Sequence, residues 1–273
     1  MDASVITEVH GHRGCGGDVP ANTIPAFLRA TTAGCHWLEM DVVITGDNEV
    51  LVSHEPWMDH TTCLGPDGKP ITEAEGRALN MYNMPLSAVQ QYRVKAPAGN
   101  ATARKPTLAE VVQAVGVCVL ETGKASPKFN IEVKSDPQQY GTYQPLPAAL
   151  AARVLEEITR SGLIDRCLIQ CFDPAVLEEL HRLAPAIPLA FLVEGAHDLS
   201  TALGHLRFTP AYYSPSFRQV DEALVAALRE RNIGLLTWTV NEEADMRRMI
   251  ALGVNGLITD EPAKALALLG PSQ

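Results

Sequence analysis

The chain has 273 residues, 46% of them hydrophobic and 20% charged, with a formal net charge of −10. This composition is typical of a globular enzyme and excludes a disordered or fibrous chain, while the negative charge argues against nucleic acid and anionic membranes as partners. No apolar run reaches the roughly 18 residues of a membrane span. The first dozen residues lack the apolar core of a signal peptide, and no Cys-x-x-Cys pair occurs among the six cysteines. Together these features predict a cytoplasmic protein with free thiols.

Short apolar, β-branched segments alternate with longer amphipathic segments along most of the chain. The segments expected to be strands are residues 7–12, 37–44, 129–134, 166–171, 187–193, 211–214, 234–240 and 256–259. The segments expected to be helices are residues 22–34, 107–115, 146–162, 174–183, 219–231, 241–252 and 261–269. This alternation, in a chain near the ~250 residues typical of the fold, predicts a (β/α)8 TIM barrel. An open doubly wound sheet is the alternative, but no Gly-x-Gly-x-x-Gly fingerprint follows the first strand.

One connection is much longer than the others. Residues 48–54 are expected to form a short strand that extends the second unit, and residues 55–105 form a turn-rich insertion before the next helix. A long βα loop of a barrel lies at the C-terminal face, where substrates bind. We therefore expect a single domain of residues 1–273 in which this insertion covers the active site.

Glu39 and Asp41 are two residues apart in an otherwise apolar strand, so both side chains point to the same face, the barrel interior. Two buried neighbouring carboxylates are unfavourable unless a cation lies between them; the alternative is that an arginine pairs with them or that they cap a backbone amide. In the next strand Glu132 lies on the corresponding face and can reach both acids. Three carboxylates form an all-oxygen site suited to Mg²⁺ or Ca²⁺.

Lys134 lies on the same face as Glu132, one step nearer the end of the strand. It would balance an anionic ligand, or else form a simple ion pair with Glu132 or Asp136.

His12 ends the first predicted strand and His54 ends the extension of the second. Two imidazoles at strand C-termini can divide general base and general acid catalysis at neutral pH.

Arg13 follows His12 and offers a planar fork of donors that suits a phosphate. The wider motifs occur in a fixed order: His12-Arg-Gly, Pro20-Ala-Asn-Thr, Glu39-Met-Asp, Val52-Ser-His, Pro106-Thr-Leu-Ala-Glu, Asn130-Ile-Glu-Val-Lys, Gln170-Cys-Phe-Asp, Trp238-Thr-Val-Asn and Gly253-Val-Asn-Gly-Leu-Ile-Thr-Asp-Glu-Pro. Through this ordered set of motifs, the chain resembles the glycerophosphodiester phosphodiesterase family over nearly its whole length. That family consists of TIM barrels that use a divalent metal ion to cleave glycerophosphodiesters to an alcohol and sn-glycerol 3-phosphate.

The resemblance implies a role for each candidate residue. Glu39, Asp41 and Glu132 would hold one divalent cation, Mg²⁺ or Ca²⁺. His12 and His54 would be the catalytic acid and base, and Arg13 and Lys134 would contact the phosphate oxygens. Trp238, at the end of the seventh strand, would form a wall for the glycerol or the leaving group, unless it only packs in the core. The expected partner is a small-molecule phosphodiester, and the oligomeric state is left open.

Three positions depart from the family pattern. Ala21 replaces a glutamate, Glu55 follows His54 where aspartate is common, and Cys171 replaces a serine. The predicted metal ligands and histidines are intact, so we expect activity to be retained with a less certain substrate.

Three other functions are compatible with parts of the pattern. An amidohydrolase-like metal enzyme would use His10, His12 and Asp260, but histidines at the fifth and sixth strands are missing, and Asp260 is better explained as a helix N-cap. A barrel that only binds lipid headgroups would need no intact catalytic set. A lysophospholipase D-type enzyme would keep the site and change the substrate, with an apolar acyl cover from the methionines of the insertion (Met58, Met81 and Met84), although core packing explains them equally well.

Overall fold

The computed structural model describes residues 6–16, 19–195 and 198–270. Its first elements, in chain order, are β1 (Glu8–Gly11), α1 (Ile24–Ala33), β2 (Trp37–Ile44) and β3 (Val50–Val52). The short strand predicted at residues 48–54 is present as β3, and it runs antiparallel to β2, with Val42 opposite Val52. The reason is a tight turn in which the Asn48 N–H donates to the Thr45 carbonyl and Asn48 has a φ of 66°.

The insertion follows β3 and consists of short elements. They are β4 (Cys63–Leu64), α2 (Glu73–Ala78), α3 (Leu86–Val89), β5 (Arg93–Lys95) and β6 (Thr102–Ala103). The three strands form a small antiparallel sheet. The insertion has its own apolar cluster, to which β2 and β3 contribute, formed by Val43, Leu51, Met58, Cys63, Met81 and Val89. Met58 and Met81 are fully buried there, which favours the packing explanation of these methionines.

The rest of the chain alternates regularly between helices and strands. Its elements are α4 (Leu108–Thr122), β7 (Lys128–Val133), α5 (Pro147–Arg160), β8 (Cys167–Cys171), α6 (Pro174–Leu183), β9 (Leu189–Val193), α7 (Leu199–Leu203), β10 (Tyr212–Pro215), α8 (Glu222–Glu230), β11 (Gly234–Thr237), α9 (Glu243–Leu252), β12 (Gly256–Thr259) and α10 (Pro262–Leu269). The parallel strands pair in the order β1-β2-β7-β8-β9-β10-β11-β12, and β12 pairs with β1. The sheet is therefore closed, and the predicted (β/α)8 barrel is confirmed.

Two helices differ from the predictions. α4 continues to Thr122 rather than 115, because Val111, Val115 and Cys118 continue its buried face and the chain first leaves the helix at Gly123, which has a φ of 65°. The short α7 between β9 and β10 was not predicted, since five residues are too few to show a helical period. None of the described helices is both long and apolar enough to cross a membrane.

The alternation of side chains along β2 divides its residues between two environments. Leu38, Met40 and Val42 belong to the main core, which also contains residues of the surrounding helices. Trp37 packs instead with residues of β8, β9 and β11 in a separate cluster inside the barrel. Because side chains alternate along a strand, Glu39 and Asp41 share the interior face with Trp37. All eight residues of β2 are buried.

Candidate active site

Three carboxylates meet at the C-terminal end of the barrel interior. Glu39 and Asp41 of β2 and Glu132 of β7 each offer an oxygen atom within 4.8 Å of the others, and all three residues are buried. The parallel register explains this arrangement, because Asp41 lies directly opposite Glu132. Among the described residues, this is the only group of acidic, histidine or cysteine side chains close enough to hold a metal ion together.

Two cations accompany these acids. The Lys134 ammonium lies 2.5 Å from Glu132 Oε1 and 3.7 Å from Asp41 Oδ1, and Arg13 Nε lies 3.2 Å from Asp41 Oδ2. The ion pairs considered as alternatives in the sequence analysis are therefore present, with Glu132 as the partner of Lys134. When all three carboxylates are ionised, the two cations leave one negative charge unbalanced among these five groups.

The pKa values of Asp41 and Glu39 are shifted in opposite directions. Desolvation disfavours ionisation of Asp41, but Arg13 and Lys134 outweigh it and lower the pKa of its carboxyl. Burial beside Asp41 raises the pKa of Glu39 to about 7. A cation between the acids would favour the ionised form of Glu39. An all-oxygen donor set with this unbalanced charge fits a hard divalent cation such as Mg²⁺ or Ca²⁺.

Amide groups hold the carboxylates in place. Both oxygens of Glu39 accept hydrogen bonds, Oε1 from Gln170 Nε2 at 3.0 Å and Oε2 from the Arg13 N–H at 2.9 Å. Asp41 Oδ2 accepts from Asn22 Nδ2 at 2.7 Å. Gln170 is the interior residue of β8 at this level, and a polar residue at an interior position of an apolar strand is the signal that could have identified it.

The turn after β1 delivers His12 and Arg13 to the site. Arg13 has a φ of 53° and Gly14 a φ of 91°. A Cβ atom at Gly14 would lie 2.6 Å from the backbone of Ala26 in α1, so the close approach of this turn to the helix requires glycine. The turn thereby directs the Arg13 N–H to Glu39 while the Arg13 side chain reaches Asp41.

His12 is bound by the carboxylate of Asp260, a residue that the sequence pattern favoured as a helix N-cap. Its Nδ1 donates to Asp260 Oδ1 at 2.7 Å, and Asn241 Nδ2 donates to Asp260 Oδ2 at 2.7 Å. The prediction of Asp260 as a helix N-cap was wrong: the residue at the N-cap of α10 is Glu261, which makes no side-chain cap bond. Burial disfavours the charged form of His12, but Asp260 and Glu39 outweigh burial and raise its pKa.

His54 is also bound by a carboxylate, that of the next residue in the chain, Glu55. Its Nδ1 lies 2.7 Å from Glu55 Oε1, and the hydrogen bond from His54 lowers the pKa of Glu55. The glutamate that departs from the family pattern is thus the orienting partner of His54. In both histidines Nε2 has no carboxylate partner among the described residues.

All the predicted site residues except Asp41 border one cavity of about 490 Å³. Its polar part includes His12, Arg13, Glu39, His54, Glu55, Glu132, Lys134 and Gln170, and its apolar part includes Phe172, Leu192, Trp238 and Ile258. Trp238 lies one residue beyond β11, and its indole N–H donates to the Ser214 carbonyl at 2.8 Å. The rings of Trp238 and Phe172 meet edge to face at 5.6 Å.

Two further residues of the sequence analysis lie outside this cavity lining. His10 stacks on Trp37 at 5.2 Å and its Nδ1 faces Asn130 Nδ2 at 3.3 Å, so it does not form the metal pair with His12 that an amidohydrolase requires. Cys171 is fully buried and its thiol donates to the Val133 carbonyl at 3.0 Å. Burial raises the pKa of this thiol, which is consistent with a structural role.

The chain is similar to known proteins in sequence and in fold. The model of the Glycerophosphoryl diester phosphodiesterase family matches residues 12–264. A glycerophosphodiester phosphodiesterase of Caldanaerobacter subterraneus subsp. tengcongensis is 28% identical over 265 residues, covering 96% of this chain and 98% of the relative. A lysophospholipase D of Mus musculus is 26% identical, covering 93% of this chain and 83% of the relative. The crystal structure of a Silicibacter pomeroyi protein assigned provisionally to the glycerophosphoryl diester phosphodiesterases superimposes with a TM-score of 0.85 at 28% identity, covering 98% and 94% of the two chains.

Proposed function

Since the chain belongs to the glycerophosphoryl diester phosphodiesterase family, as its sequence motifs predicted, we propose that it hydrolyses glycerophosphodiesters to an alcohol and sn-glycerol 3-phosphate. The observation that carries the proposal is a cluster of three buried carboxylates, two of which line one cavity together with two carboxylate-bound histidines. A protein that only binds phosphodiesters would have no use for two oriented imidazoles beside an acidic cluster.

Glu39, Asp41 and Glu132 are proposed to hold one divalent cation, Mg²⁺ or Ca²⁺. When bound, the cation supplies positive charge to a non-bridging phosphate oxygen and so stabilises the charge that develops in the transition state. Arg13 and Lys134, at the edge of the same cluster, are proposed to contact the remaining phosphate oxygens. Both are cations at the cavity, which suits them to an anionic group.

His12 and His54 are proposed to share the proton transfers. Nε2 of His12 takes a proton from the nucleophile, a water molecule or the neighbouring glycerol hydroxyl, as its oxygen forms a bond to phosphorus. With the glycerol hydroxyl as nucleophile the first product is a cyclic phosphodiester, which a water molecule then opens to sn-glycerol 3-phosphate. The bond from phosphorus to the alcohol oxygen breaks, and Nε2 of His54 gives a proton to the leaving alkoxide. Asp260 favours the charged form that His12 reaches after it accepts the proton. Trp238 and Phe172 are proposed to form an apolar wall for the glycerol or leaving group.

A lysophospholipase D-type activity is the second candidate, and the name of the mouse relative favours it. The acyl chain would have to contact the apolar side of the cavity, at Phe172, Leu192, Trp238 and Ile258. The methionines Met58, Met81 and Met84 do not line this cavity, so they provide no acyl cover there.

The test is a coupled assay of glycerol 3-phosphate release from glycerophosphocholine with Mg²⁺, Ca²⁺ or Mn²⁺. We expect activity to be lost in EDTA and restored by one of these cations, and Glu39→Gln to respond poorly to added cation. His12→Ala and His54→Ala should each lose about 10²–10⁴ in rate. Full activity in EDTA would contradict the metal site, and choline release from lysophosphatidylcholine alone would favour the second candidate.

A further inference from the structure

A second, smaller cleft of about 110 Å³ adjoins the cavity described above. The two share Arg13, His54 and Glu55 as lining residues. The remaining lining of the smaller cleft comes from the segment before α1, which contributes Ala21, and from the insertion, which contributes Lys95 and its neighbours. The cleft therefore lies on the side of the site that carries His54, between the barrel and its insertion.

Lys105 also lines this cleft and is only 8% exposed. Its ammonium donates to Ser53 Oγ at 2.9 Å, and the Ser53 hydroxyl donates to the Glu55 carbonyl at 2.7 Å. Within residues 6–16, 19–195 and 198–270, neither Lys105 nor Lys95 forms an ion pair with a carboxylate. A buried ammonium that has one hydroxyl as its polar partner is costly, and an anion beside it would lower that cost.

The two acidic residues that line the cleft, Glu55 and Asp59, form hydrogen bonds or ion pairs with residues other than the lysines. Glu55 binds His54 at 2.7 Å. The carboxylate of Asp59 accepts hydrogen bonds from the Thr61 N–H and hydroxyl and from the Thr62 hydroxyl, and it lies 3.6 Å from His60 Nδ1. The third cation, Arg13, is already paired with Asp41. Lys95 and Lys105 are thus the lysines of the cleft that form no ion pair with a carboxylate of the described residues.

Ala21 also lines the smaller cleft, beside the two lysines. It is half-buried, and its methyl side chain brings neither bulk nor a carboxylate to the cleft. An acidic side chain at this position would supply the counter-charge internally. With alanine, the two lysines can be neutralised by a ligand.

We propose that this cleft, defined by Ala21, Lys95 and Lys105 and here called the lysine cleft, binds an anionic group carried by the leaving alcohol of the substrate. This inference rests on the proposed function, in which His54 protonates that alcohol and the alcohol therefore lies on the His54 side of the site. Glycerophosphodiesters whose alcohol bears a carboxylate are the favoured substrate class.

Glycerophosphoserine and glycerophosphoethanolamine are a matched pair of probes, because they differ only in one carboxylate on the alcohol. We expect the wild-type protein in EDTA, in which the proposed hydrolysis does not proceed, to bind glycerophosphoserine about tenfold more tightly than glycerophosphoethanolamine by isothermal titration calorimetry, which is the range expected for one hydrogen bond to a charged group. The same ratio should appear in kcat/KM when glycerol 3-phosphate release is measured. Equal dissociation constants for the two ligands would overturn the proposal.

Ala21→Glu and Ala21→Gln are variants of nearly equal size that differ in charge. We expect Ala21→Glu to abolish the preference for glycerophosphoserine, because the new carboxylate pairs with the lysines, and Ala21→Gln to retain most of it. Lys105→Met should also reduce the ratio towards one. A Lys105→Met protein that loses affinity for both ligands equally would show that Lys105 only supports Ser53 and the adjacent turn, and would contradict the proposal.

Binding and turnover separate this inference from the proposed function. A preference for glycerophosphoserine in binding, lost in Ala21→Glu, supports the lysine cleft even if neither ligand is cleaved, in which case the proposed phosphodiesterase activity fails. Cleavage of both ligands with equal kcat/KM and equal affinity supports the activity and refutes the cleft.

Discussion

Each histidine of the candidate site has its Nδ1 atom bonded to a carboxylate, but the two carboxylates have different origins in the chain. Glu55 directly follows His54, whereas Asp260 is 248 residues away from His12. Asp260 is itself held by Asn241, which also binds the Asp260 N–H through its side-chain oxygen at 2.9 Å. A pair of this kind fixes the tautomer and the orientation of an imidazole, as it does in known general base sites.

Asp260→Asn is expected to change the pH dependence of activity. Asp260 raises the pKa of His12 above its ordinary value, so its replacement by a neutral amide lowers that pKa. A base must be neutral to act, and the acidic limb of the kcat/KM profile should therefore move to lower pH. The maximal rate should fall by roughly 10²-fold, because the ring loses its orienting partner.

The pH–rate profile of glycerophosphocholine hydrolysis measures this effect. The matched control is Asp245→Asn, which removes a carboxylate of α9 that pairs with Arg248 at 3.8 Å. The control profile should coincide with that of the wild type. An unmoved acidic limb in Asp260→Asn would show that His12 is not the base.

At the scale of elements, the junction between the insertion and α4 connects the periphery of the site to the barrel. Thr107 and Glu110 form a capping box at the start of α4. The Glu110 carboxylate also accepts hydrogen bonds from Arg104 and from Gln90 of the insertion. Lys105 lies within this junction, so the end of the insertion and the lysine cleft depend on the same short segment.

Thr107→Ala is expected to lower the free energy of unfolding by about 1 kcal/mol, because a backbone N–H of the first turn loses its acceptor. Urea denaturation followed by circular dichroism measures the change. Thr72→Ala is the matched control, since Thr72 forms the same capping box with Glu75 at the exposed start of the short α2. We expect a smaller loss there, and a larger loss in Thr72→Ala than in Thr107→Ala would contradict this account.

For the molecule as a whole, stability depends on closure of the barrel between β1 and β2. This seam has two paired positions, His10 with Trp37 and Gly11 with Leu38, as few as β10–β11 and β11–β12 and compared with six between β2 and β7. The stacked rings of His10 and Trp37 add a contact at the same place. Burial, together with the nearby His36 and Lys128, lowers the pKa of His10 to about 3.

Acid is therefore expected to destabilise the barrel through His10. In the unfolded chain this imidazole has a pKa of about 6.5, so between about pH 6.5 and pH 3 the unfolded state binds more protons than the folded state. The free energy of unfolding should fall as the pH is lowered through this window, by up to about 1.4 kcal/mol per pH unit from this residue. Urea denaturation at several pH values between 7 and 4.5 measures the slope.

His10→Gln should have a flatter pH dependence of stability than the wild type. The control is His205→Gln, which replaces an exposed histidine and should leave the slope unchanged. Parallel curves for the wild type and His10→Gln would show that His10 does not contribute to the acid sensitivity.

The strand–helix alternation, the barrel and the family were all predictable from the sequence. The shared face of Glu39 and Asp41 followed from the period of two within a strand, and their approach to Glu132 followed from the order of neighbouring parallel strands. These features are local or depend only on chain order, and a sequence records both directly. The roles assigned to the site residues themselves remain predictions, which the proposed assays test.

Other features were decided only by the tertiary structure. The direction of β3, the pairing of Asp260 with His12 and the meeting of Ala21 with Lys95 and Lys105 all join segments whose distance depends on how the closed sheet and its insertion pack together. A side chain at a strand end can cap a helix, bind a histidine or face solvent with no change in the residues next to it. Its partner is selected by the three-dimensional arrangement, because hydrogen bonds and ion pairs act over a few ångströms in space whatever the separation along the chain.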